Sequence, residues 1–196
     1  MKARIFVDFW NFQLSLNEVS SGFRLDWDKL SPWLVNAAAT HLRQPLSFEG
    51  TTVYISYDSH SSADAKLRNW ALNILDRFIG VQVTLLERKP KKSPICPTCH
   101  TPIDTCPHCS SPVTGMIEKG VDTSIVTDLL SLAWENSWDV AVLLSSDRDF
   151  IPAVVRLQDK GFKVINAHFP PKGMDLARNC WASIDLRAAL PDLARS

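Results

Sequence analysis

Short runs rich in valine and isoleucine alternate with stretches of helical periodicity through most of this chain, and no other feature constrains its fold more. The runs are residues 3–8 (ARIFVD), 52–57 (TVYISY), 81–86 (VQVTLL), 139–144 (DVAVLL) and 162–167 (FKVINA). Strands of this composition suit a parallel sheet covered on both faces. Helical patterns fall at 27–42, 63–78, 122–135, 150–160 and, more weakly, 174–180. Strands alternating with helices imply crossover units, hence a doubly wound α/β sandwich. At 196 residues the chain has room for one domain and a small appendage. A fold of this size buries about 70% of its unfolded surface, so its core needs no disulfide staples.

The alternation breaks once. Residues 90–114 read PKKSPICPTCHTPIDTCPHCSSPVT, with six prolines and no apolar period, and predict an insertion spanning 90–115. Four of the five cysteines lie here, as Cys96-x-x-Cys99 and Cys106-x-x-Cys109. Two close thiol pairs of this kind suit a closed tetrahedral Zn²⁺ shell, with His100 and His108 as reserve ligands. Two disulfides or four free thiols are the other readings. A closed shell has no open position for water, so the expected zinc is structural and stands in for a core that this segment cannot build. Arg88, Lys89, Lys91 and Lys92 precede the first pair and form a strip suited to a polyanion, or simply a solvated basic turn. Cys180 stands alone with no assigned role.

Aspartates mark the expected strand ends. Asp8 closes the first run, with Asn11 three residues later, and Asp147 and Asp149 follow the fourth; Asp122 opens the long helix. If the first and fourth strands are neighbours, about 4.8 Å apart, side chains leaving their ends can converge. In open α/β sheets ligands bind at such carboxyl ends. Carboxylates held together repel one another, and a hard divalent cation such as Mg²⁺ or Mn²⁺ removes that penalty. Asp122, Asp147 and Asp149 also suit helix caps or first turns. Capping explains Asp8 less well, because no helix need begin directly after it.

The motifs Ile5-Phe6-Val7-Asp8-x-x-Asn11, Lys119-Gly120-Val121-Asp122 with Asp128, and Leu143-Leu144-Ser145-Ser146-Asp147-x-Asp149-Phe150 resemble those of the NYN domain family of PIN-like nucleases. The resemblance spans nearly all of the chain, 1–196, outside the insertion. It implies a PIN-like three-layer α/β/α sandwich with a mainly parallel sheet, interrupted by a small zinc ribbon, and divalent-metal-dependent cleavage of RNA. Position by position, Asp8, Asp122 and Asp147 match the family's metal-binding acids, Asp149 a further acid of the site, and Asn11 the polar residue after the first strand. Asp128 matches a frequent position, yet on an ideal helix it lies about 120° around from Asp122 and ranks second. One departure stands out. Where the family commonly has glycine after the first aspartate, this chain has Phe9 and Trp10, which suit either core packing or base stacking.

The expected activity is therefore that of a metal-dependent endoribonuclease, with Lys119, Arg148 and the strip Arg88, Lys89, Lys91 and Lys92 as phosphate contacts. A non-catalytic RNA-binding or scaffold module, using the ribbon to reach a protein partner or a second copy, is the alternative; a phosphotransferase is a weaker third. The 21 basic and 21 acidic side chains argue against a generally basic coat, and no P-loop glycine motif occurs. RNA is the expected partner, with DNA as the competing substrate. No run reaches the roughly 20 apolar residues of a membrane span, and Asp8 falls where a signal peptide needs apolar residues, so the expected location is cytoplasmic.

Overall fold

Along β1 (Lys2–Asp8) successive side chains leave opposite faces, and both faces are apolar: Ala3, Ile5 and Val7 enter one core, Phe6 the other. Such a strand is stable only between two helical layers, and the computed structural model, which describes residues 1–113 and 115–195, supplies both. The first layer contains α1 (Phe9–Val19), α2 (Trp27–Leu42) and α7 (Leu190–Leu193), with α3 (Ser62–Asn73) beside them. The second contains α4 (Val121–Trp134), α5 (Ile151–Asp159) and α6 (Met174–Asn179). On α4, Val121, Ile125, Leu129 and Ala133 recur every fourth residue and form its buried stripe.

The remaining strands are β2 (Ser47–Tyr57), β3 (Val81–Glu87), β6 (Val140–Leu144), β7 (Lys163–His168) and β8 (Ala182–Asp185). With β1 they form one parallel six-stranded sheet in the order β3-β2-β1-β6-β7-β8. The chain winds outward from β1 in one direction and from β6 in the other, so the strand order reverses between these two neighbours. The carboxyl ends of β1 and β6 therefore flank the crevice where open α/β sheets bind ligands.

The expected sandwich is present. Several elements were not legible in the sequence, β8 and α1 among them. β8 is short and only partly buried, and α1 begins at Phe9 with no loop after β1. This second feature corrects the reading of Asp8, which ends a strand and caps a helix at once, its Oδ1 accepting the Asn11 N–H at 3.4 Å. The expected helix 63–78 splits into α3 and a 3-10 turn, Leu75–Arg77. Among the described residues, no helix is long and apolar enough to cross a membrane.

The insertion hangs from a two-stranded antiparallel neck, β4 (Lys89–Pro90) against β5 (Met116–Ile117). Beyond it lie two small hairpins that copy each other bond for bond. Cys96 N–H donates to Thr101 O at 3.0 Å and Cys106 N–H to Ser111 O at 2.8 Å. His100 and Ser110, at φ of 57° and 55°, donate back to Cys96 O and Cys106 O.

Candidate active site

Asp8 leaves β1 two residues after Phe6 and so sits on the α4 side of the sheet, 5% exposed. Its Oδ2 accepts the Ser145 hydroxyl at 3.0 Å. Burial pushes its carboxyl up to about 7, opposed by the hydrogen bonds from Ser145 and Asn11 and aided by the charges of Glu118 and Asp122. Asp122 stands in the first turn of α4, after Gly120 at φ 91°. Its carboxyl is raised by desolvation, then by repulsion from Asp147, Glu118 and Asp149. Asp8, Glu118, Asp122, Asp147 and Asp149 thus form one electrostatic cluster at the crevice.

The turn after β6 is braced from three directions. Asp147 caps the 3-10 turn Arg148–Phe150, accepting the Asp149 N–H at 2.9 Å, and its own N–H donates to Ser145 Oγ at 3.1 Å. Asn11 Oδ1 accepts the Ser146 N–H at 2.8 Å. Fully buried Asn166 donates to Leu143 O at 3.0 Å and Ser145 O at 2.8 Å. Capping therefore describes Asp8 and Asp147 correctly, yet both also belong to the cluster.

Hydrogen bonds through Ser145 and Ser146 link Asp8, Asn11, Asp147 and Asp149, while Asp122 and Glu118 act on the site through their charge. Glu118 accepts the Ser56 hydroxyl from β2; its only signal in the sequence was its place next to Lys119. Asp128 turns elsewhere, accepting the Tyr54 hydroxyl at 2.6 Å and holding α4 to β2. Phe9 is buried among Phe12, Trp27 and Trp70, so it packs rather than stacks on bases. Trp10 is half-buried and donates its indole N–H to Ser56 O at 2.7 Å.

The basic strip divides. Arg88 is built into the protein: its guanidinium lies 5.0 Å over Trp10, 3.6 Å from Asp64, and donates to Ser56 Oγ at 3.1 Å. Among the residues expected to contact phosphate, its guanidinium is therefore already engaged within the protein. Lys89 pairs with Glu87 at 3.8 Å, while Lys91, Lys92, Lys119 and Arg148 are exposed.

The acids form an all-oxygen, anionic and partly desolvated donor set, which is the chemistry of a hard divalent cation. Ser145, Ser56 and the Asn11 N–H hold two of them on other partners. Among the described residues, no three His, Cys, Asp or Glu side chains stand close enough to enclose one ion. The same holds for the cysteines, which lie in two near pairs. Hydrogen bonds from Thr101 and then Cys96 bring the Cys99 thiol down to about 7, and Ser111 and Cys106 lower that of Cys109. One thiol of each pair, Cys99 and Cys109, is thus biased towards the thiolate that metals bind.

Beside Asp147 an open groove of about 540 Å³ runs between α1 and the loop joining β7 to α6. Gly173 forms its floor at φ 77°, where a Cβ would lie 3.1 Å from both Ser146 Cα and His168 Cβ. Gly173→Ala is expected to cost about 1–2 kcal/mol from the left-handed backbone alone and to displace Ser146. Chemical denaturation checks this, and an unchanged midpoint would refute it.

A family model for the NYN domain matches residues 2–187. The chain belongs to the NYN domain family. NYN domains fall within the PIN-like nuclease superfamily, whose members generally use divalent metals such as Mg²⁺ or Mn²⁺. The fold of this NYN domain is shared with the crystal structure of a protein of unknown function from Vibrio parahaemolyticus, at a TM-score of 0.58 and 19% identity. That similarity covers 94% of this chain and 92% of the other. No curated protein matches the chain.

Proposed function

We propose that this NYN domain is a divalent-metal-dependent endoribonuclease that hydrolyses phosphodiester bonds at the acid cluster. The observation that carries the reading is that the carboxyl ends of β1 and β6 lie side by side where strand order reverses, with Asp8 buried and hydrogen-bonded to Ser145, and Asp147 held by the same hydroxyl. Burying a carboxylate among like charges is unfavourable, and a fold keeps such an arrangement where chemistry needs it.

Asp8, Asp122 and Asp147 would hold Mg²⁺ or Mn²⁺, with Glu118 as a further oxygen donor. Bound there, the cation supplies Lewis acidity towards water and neutralises charge on the scissile phosphate. Asp149, exposed at the rim, orients the attacking water. Asn11 positions the turn carrying Asp147, its amide oxygen accepting the Ser146 N–H. Lys119 and Arg148 contact the RNA backbone. In the insertion, Cys96, Cys99, Cys106 and Cys109 hold a structural Zn²⁺, and Lys91 and Lys92 on its stem face a polyanion.

Incubation of RNA with the protein, with and without Mn²⁺, tests the reading. Wild type should cleave only with Mn²⁺, and Asp147→Asn should lower the rate about a thousandfold, the scale of removing one transition-state electrostatic contact. Asparagine caps as well as aspartate, so the fold is retained. Full activity in the variant would sink the assignment. The alternative, a non-catalytic RNA-binding scaffold, is favoured by one observation: no three acids are closed on a single ion among the described residues. Calorimetric titration with Mn²⁺ discriminates, because a scaffold shows no binding outside the cysteine module.

A further inference from the structure

We propose that the groove beside Asp147 is the track for the unpaired nucleic-acid strand adjoining the scissile phosphate, and that an ion pair between Lys172 and Glu18 clasps its outer end. This rests on the nuclease reading for the identity of the strand as RNA.

The acid cluster repels a polyanion, so a strand reaching Asp147 needs cations along its approach. The groove supplies two, and the further acid in its lining, Asp175, pairs with Arg178 at 3.5 Å. Arg148 follows Asp147 directly, is exposed, and makes no ion pair among the described residues. Lys172 comes from the loop after β7, with its Nζ 2.5 Å from Glu18 Oε1 on α1. That pair joins the two walls. Both partners are largely exposed, so it is weakly held, and a phosphate can replace the carboxylate on Lys172.

The walls also carry apolar side chains turned to solvent. Leu14 on α1 is 55% exposed and Met174 at the start of α6 is 37% exposed, both lining the groove. Neither helps the core where it stands. Together they offer an adaptable apolar surface to the face of an unpaired base, a contact that tolerates any sequence. A duplex, whose bases are stacked and paired, cannot use it. Asn11, Ser146 and Asp147 line the groove as well, so a strand lying in it comes directly beside Asp147.

The test measures binding alone, by fluorescence anisotropy of a labelled unstructured RNA without added Mg²⁺ or Mn²⁺. Lys172→Ala should weaken binding about fivefold and lower the slope of log affinity against log salt by about 0.7, the value for one single-strand phosphate contact. Glu18→Gln should tighten binding about twofold by freeing Lys172. Met174→Ala should weaken binding of the single strand and leave duplex RNA unchanged. These side chains are exposed, and thermal melts confirm that the variants fold. Unaltered affinity and salt slope in Lys172→Ala, or equal binding of duplex, would overturn the track; unaltered affinity in Glu18→Gln would overturn the clasp. If wild type cleaves RNA with Mn²⁺ while the groove variants bind as wild type does, the groove falls and the nuclease stands. If the groove variants bind as expected while wild type cleaves nothing, the track stands and the nuclease falls.

Discussion

Asp8→Asn is expected to melt at a higher temperature than wild type at pH 8 in the metal-free protein, and to cleave no RNA. The folded-state carboxyl is raised from 3.8 to about 7 by burial, so the fold disfavours the ionised form. At the lowest pH both states hold the proton and Asp8 contributes nothing. As pH rises from about 4 to 7 the unfolded chain releases the proton while the native protein keeps it, and stability falls across that window. Above pH 7 the full cost applies, about 4 kcal/mol at one pKa unit per 1.36 kcal/mol. Asparagine does not ionise, and its side-chain oxygen can still accept from Ser145 or the Asn11 N–H. A gain of about 2–4 kcal/mol corresponds to a rise of roughly 5–10 °C for a domain of this size. Scanning calorimetry at pH 4 and pH 8 checks it: the difference between the proteins should close at the lower pH. Mn²⁺ should raise the melting temperature of wild type and leave that of Asp8→Asn unchanged. Equal melting at pH 8 would refute the account.

Purified protein is expected to carry one zinc per chain, and removing it with a chelator should open the insertion without unfolding the sandwich. Among the described residues, the two hairpins each have a single antiparallel bridge, Ile95 with Pro102 and Thr105 with Pro112, and no buried apolar cluster between them. Ile95 is 59% exposed and Ile103 40% exposed, so little apolar burial holds the segment. A tetrathiolate zinc site contributes about 10–16 kcal/mol at neutral pH, more than any other term available there. Atomic emission should find the metal, and chelation should loosen the backbone around Lys91 and Lys92 so that trypsin cuts there, while the main thermal transition stays in place. Cys99→Ser should behave like the chelated protein. Zinc-free protein with unchanged protease resistance would refute the assignment.

Much of the site was legible because its residues carry local signals. Asp8 and Asp147 end apolar runs, and Asp122 opens a helix whose buried stripe begins beside it. Glu118 carried no such signal; it joins the cluster because the neck of the insertion delivers it beside Ser56 of β2. Lys172 is likewise visible only once the loop after β7 lies against α1. In the other direction, Arg88 looked like a free cation and Asp128 like a site acid. Asp64 and Trp10 hold the first, and Tyr54 the second.

By itself the sequence determined the layers, the parallel sheet, the aspartates at strand ends and the paired cysteine turns. Each of these follows from periodicity or spacing within a few residues, where local backbone geometry decides which side chains share a face. The tertiary structure alone decided that β1 and β6 are neighbours across the reversal of strand order, that Asp8 is buried enough to hold its proton near neutrality, and which charges are free. Those properties depend on distances between segments remote in the chain, and burial and Coulomb interaction act through space rather than along the sequence.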